Sequence, residues 1–105
     1  MALTRSFTET VKDRAARDPV FRAAILTEAV DLLLAGDMAT GKALLRDCVN
    51  ATLGFERLAQ ETGTSPKSLM RMLGPTGNPT ASNLFAILRS LQEAAGIHLT
   101  ATVAP

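Results

Sequence analysis

Apolar positions recur at three- and four-residue intervals over most of this chain, the period of helices that bury one face. Asp18 followed by Pro19 supplies a capping carboxylate and a proline at the first helical position, opening a helix that the pattern carries to Ala35 and that Gly36 ends. Phe21, Ala24, Ile25, Leu26, Ala29, Val30 and Leu33 make its buried side. Asp37 can cap the next helix, over about 39–53, whose stripe is Leu44, Leu45, Cys48, Val49 and Leu53. Gly41 weakens its first turn by about 1 kcal/mol relative to Ala, and Gly54 is expected to end it. Upstream, Ser6 and Glu9 have the Ser-x-x-Glu spacing of a capping box, so residues 1–17 read as an N-terminal helical arm and 18–105 as a single domain.

The stretch 55–73, FERLAQETGTSPKSLMRML, packs two short helical patterns around one glycine. Phe55, Leu58, Ala59 and Thr62 form a stripe that stops at Gly63. Ser65 then serves as N-cap, and Pro66 takes the position where a missing N–H costs nothing. On this second helix Leu69, Met72 and Leu73 face inward, and Lys67, Met70, Arg71 and Gly74 face outward. Small residues at Ala59 and Gly63 let the two helices cross closely, as a helix-turn-helix requires. That arrangement points to DNA binding.

Two prolines, two glycines and an asparagine make 74–79 a loop. Thr80 or Ser82 caps a last helix to about Ala95, with Leu84, Ile87, Leu88 and Leu91 as its stripe, and Gly96 stops it. Residues 97–103 alternate apolar and polar, the period of a half-buried strand. Such a strand either folds back as an extended tail or pairs with its counterpart in a second subunit. The expected fold is all-α, a compact helical bundle with a helix-turn-helix and a possible short C-terminal strand.

Ala59, Gly63 and Leu69 fall at the spacing of the small residue, turn glycine and buried aliphatic of the helix-turn-helix in phage-repressor and Cro-type (Xre) regulators. LAQETGTSPKSLMRML followed by Gly77-Asn78-Pro79, then Asn83-Leu84 and Leu88, more specifically resembles the addiction-module antidote branch of that family. Gly36-Asp37 and Leu45-Arg46-Asp47 fit it too, so the resemblance covers roughly 29–103. It implies a phage-repressor-like fold and an antitoxin that binds a small toxin protein and represses their shared operon. The chain departs from the pattern at Thr64, where an aliphatic is common, at Pro66, where relatives carry a polar or basic residue, and at the usual aromatic position, here Met70.

Composition narrows the class. With 105 residues, 47% of them hydrophobic and 20% charged, one domain can bury a core without disulfides or metal. Aromatics make up only 4%, so the core must come from aliphatics and Met, which favours helices over a β-sandwich. A single cysteine, Cys48, excludes an intrachain disulfide or a Cys-based zinc site. No leader-like apolar stretch follows Arg5, and the longest apolar run, 32–35, is too short for a bilayer, so a cytoplasmic, membrane-free protein is expected.

The net charge of +1 does not by itself advertise nucleic acid. Its distribution does more, because no acidic residue lies between Glu61 and Glu93 whereas Lys67, Arg71 and Arg89 do. Catalysis has no candidate constellation: the lone His98 sits on the tail, Cys48 sits on an apolar stripe, and no cofactor motif is present. For an operator duplex, Arg71 is the expected base reader, since a guanidinium can engage guanine O6 and N7 together. Lys67 and Ser68 can meet base or phosphate, Met70 lies on the same outward face as Lys67, and Ser65, whose hydroxyl caps the helix, stands at a helix start that would also suit a phosphate oxygen. Thr76, Asn78, Thr80 and Ser82 offer neutral donors for a phosphate clamp. The plainer reading of Lys67 and Arg71 is solvated helix charge. A homodimer on a palindromic operator is the expected assembly. The alternative function is a protein-interaction module on the same scaffold with weak or lost DNA binding.

Overall fold

Caps and breakers divide the chain into helices largely where local chemistry requires. The computed structural model describes residues 2–105 in backbone and 10–105 in side chain. Six helices are present: α1 (Ala2–Arg17), α2 (Pro19–Leu34), α3 (Met38–Ala51), α4 (Gly54–Thr62), α5 (Pro66–Met72) and α6 (Ala81–Ala95). Among the described residues there is no strand, and the fold is all-α.

Asp18 caps α2 by accepting from the N–H groups of Val20 (3.0 Å) and Phe21 (3.2 Å). Asp37 does the same for α3 through Thr40 N–H (3.2 Å). The helix α1 begins well before the expected capping box, whose side chains lie outside those described. Its C-terminal turn is fastened to α2: Ala15 is buried, Arg22 Nη1 donates to the Ala15 (2.8 Å) and Ala16 (3.3 Å) carbonyls, and Arg14 lies over the Phe21 ring.

One core joins the remaining elements. Leu26 and Ala29 of α2, Leu45, Cys48 and Val49 of α3, Phe55 and Leu58 of α4, Leu69 of α5 with Leu73, and Ile87, Leu88 and Leu91 of α6 form a single buried cluster. The helices α2 and α3 make the main pair, and α4 lies against α3, α5 and α6.

Three expectations change, the first being Ala24, which is exposed and not on the buried side of α2. The helix α3 stops at Ala51, and Gly54 opens α4 instead of closing α3; Thr52 turns its hydroxyl back onto the Cys48 carbonyl (2.7 Å) and takes the cap. Gly74 is buried, not outward, for reasons given below. Residues 97–103 form no strand among the described residues. Ile97 and Leu99 pack against the core, and Leu99 N–H is held by the Gln92 side chain (2.8 Å).

Candidate nucleic-acid interface

The outward residues of 65–82 are placed by two short helices and the turns that bound them. Gly63 ends α4 in the left-handed region (φ 72°), where a Cβ would be strained, and its N–H closes on the Ala59 carbonyl (2.9 Å). The chain reverses over 63–65 into α5. There Ser65 Oγ accepts from Ser68 N–H (3.2 Å) and donates to Ser68 Oγ (2.9 Å), so both hydroxyls are engaged in the cap.

Leu69 and Leu73 anchor α5 in the core, and this leaves Lys67, Met70 and Arg71 exposed. Lys67 and Arg71, four residues apart, share one face. Most other cations are already committed. Arg57 pairs with Glu61 (3.2 Å) and Arg89 with Glu93 (3.9 Å), while Arg22, Lys42 and Arg46 donate to backbone carbonyls. Among the described residues outside α1, Lys67 and Arg71 are the two cations with neither an ion pair nor a side-chain hydrogen bond.

The loop 74–79 carries the next candidates. Its Gly77 N–H donates to the Gly74 carbonyl (3.1 Å), closing a turn with Pro75 in its second position. A Cβ on Gly77 would collide with the carbonyl oxygens of Arg71 and Met72, so the loop is folded back onto the end of α5. Thr76 and Asn78 flank that contact and are exposed. Thr80 caps α6 by accepting from Asn83 N–H (3.1 Å), which commits its hydroxyl, and Ser82 is exposed in the first turn of that helix.

Sequence reasoning missed Lys42 and Arg46 of α3. Lys42 Nζ donates to the carbonyls of Gly74 (3.0 Å) and Gly77 (2.6 Å), and Arg46 Nη1 donates to that of Leu73 (3.2 Å). A usable signal existed: Lys42, Leu45 and Val49 are spaced i, i+3, i+7, which puts a lysine on the buried stripe. A lysine there must find acceptors.

The rest offers little chemistry. Burial, and after it the neighbouring Asp47, push the Cys48 thiol up to about 12, so it stays un-ionised among its apolar neighbours at neutral pH. His98 is exposed on the tail. Among the described residues no group of three His, Cys, Asp or Glu side chains is placed to hold a metal ion, and no helix is long and apolar enough to cross a membrane. No protein-family model, curated protein or solved structure matches the chain.

Proposed function

We propose that this chain is a sequence-specific DNA-binding transcriptional regulator, with α4, the turn at Gly63 and α5 acting as a helix-turn-helix. The observation behind the reading is the pair Lys67 and Arg71, exposed on a helix whose other side is anchored in the core and left without partners, whereas the other described cations outside α1 are committed. In this reading α5 enters the major groove, about 12 Å wide, where Arg71 reads base edges and Lys67 meets base or phosphate. Thr76, Asn78 and Ser82 contact the backbone of the duplex.

Two copies would place their α5 helices in successive major grooves about 34 to 36 Å apart. The tail 97–103, alternating and without a ladder partner among the described residues, is a suitable element for joining them. The antidote-like sequence extends the proposal to a cytoplasmic antitoxin that represses the operon it shares with its toxin.

A second reading, a protein-interaction module without DNA readout, is favoured by Val20 and Leu34, each 78% exposed on α2, and by Phe85, 66% exposed on α6. Affinity for the duplex upstream of the protein's own gene, measured beside a random duplex of equal length over a range of salt, separates the two. Preference for the upstream duplex supports the regulator. Equal affinity for both, or no binding at low salt, supports the interaction module.

A further inference from the structure

Lys42 and Arg46 stand one turn apart on α3, and both donate away from their own helix to the chain that follows α5. Lys42 is only 5% exposed, so its ammonium is withdrawn from solvent and satisfied by two carbonyls. The acceptors on Leu73 and Gly74 lie just past the C-terminus of α5, where a cation is favoured, and the Gly74 carbonyl also accepts the Gly77 N–H. The third acceptor, on Gly77, lies across the turn that the Gly77 N–H closes onto Gly74. Three carbonyls from two sides of one loop therefore converge on a single face of α3.

The geometry points to Lys42, assisted by Arg46, as the positioning residue that presets the DNA-facing loop. Its ammonium holds 74–79 against the end of α5, so that Thr76 and Asn78 meet the duplex in a fixed relation to Arg71. The inference rests on the DNA-binding reading above. Without the ammonium those carbonyls turn to water and the loop opens with them. A buried Nζ cannot reach a phosphate, so Lys42 contributes shape to the interface and no charge contact.

The test compares wild type, Lys42→Met and Gly77→Ala by amide hydrogen exchange and by binding to the upstream duplex over a range of salt. In Lys42→Met, exchange at Gly77 should accelerate at least about tenfold while Ile87 in the core stays protected from local opening. Affinity should fall about tenfold, as the fraction of molecules with a competent loop falls. The slope of log affinity against log salt should stay unchanged, because no phosphate contact is lost. Gly77→Ala opens the same turn with Lys42 in place and should reproduce all three results, which keeps the test decisive if Lys42→Met does not fold.

Unchanged exchange at Gly77 overturns the clamp even where wild type binds DNA. Faster exchange with unchanged affinity overturns its positioning role, as does a slope shallower by about one, which would put Lys42 on a phosphate. If wild type ignores duplex DNA while Lys42→Met still speeds exchange, the DNA-binding reading has failed and the positioning role with it, whereas the clamp on the loop is upheld.

Discussion

Lys42 with Arg46 and Lys67 with Arg71 are two basic pairs of identical spacing and opposite fate. The first pair, on α3, turns inward and spends its donors on the carbonyls of Leu73, Gly74 and Gly77. The second, on α5, stays in solvent with no partner among the described residues. What separates them is the stripe each lysine occupies. Lys42 is in register with Leu45 and Val49, which are buried, whereas Lys67 lies opposite Leu69 and Leu73. A count of cations therefore says little about a partner until those consumed by the fold are removed.

The sharpest way to break this comparison is to truncate both lysines. Lys42→Ala leaves two carbonyls without their charged donor and should destabilise the protein by about 3 kcal/mol in urea unfolding. Lys67→Ala should stay within about 0.5 kcal/mol of wild type. Equal losses would mean that the two pairs do not differ as described.

Next in size, Arg71→Ala should weaken binding to the upstream duplex by about 2 kcal/mol with unfolding unchanged, as expected of a base reader. Loss of stability in place of affinity would move Arg71 to the structural side of the comparison.

Cys48 sharpens the buried side through pH. Its folded thiol is pushed up to about 12, whereas an unfolded thiol ionises near about 8.5, so the unfolded state releases its proton first. This contribution is constant below about pH 8.5 and falls as pH rises from there toward about 12. At pH 9.5 wild type should have lost about 1.4 kcal/mol more than Cys48→Ala, read as the difference between their unfolding curves. Parallel losses in the two proteins would show that the thiol is not shielded.

The smallest effect belongs to Lys67, whose removal should make the salt slope of DNA binding shallower by about 0.9 if it meets one phosphate. An unchanged slope assigns Lys67 to solvent.

The helices were legible in the sequence wherever a local interaction sets a boundary. Asp18-Pro19, Ser65-Pro66 and Thr80 cap as their side chains require, and Gly63 and Gly96 end helices in the left-handed region. Gly54 misled because glycine serves the start of α4 as readily as the end of α3. The outward face of α5 was readable from its period, except at Gly74. That residue is buried and its carbonyl is bonded by Lys42, 32 residues away, a contact that no local pattern encodes. The tail shows the same limit, since its alternation fits an extended segment and only a neighbouring strand would make it part of a sheet.

The central claim is that α5 and the loop behind it meet DNA. It is tested most directly by recording backbone amide shifts of the labelled protein while a short duplex from upstream of its gene is titrated in. If α5 and its loop meet the duplex, the shifts concentrate at residues 65–71 and 76–82. Shifts confined to α2 and α3, or none at low salt, would contradict it.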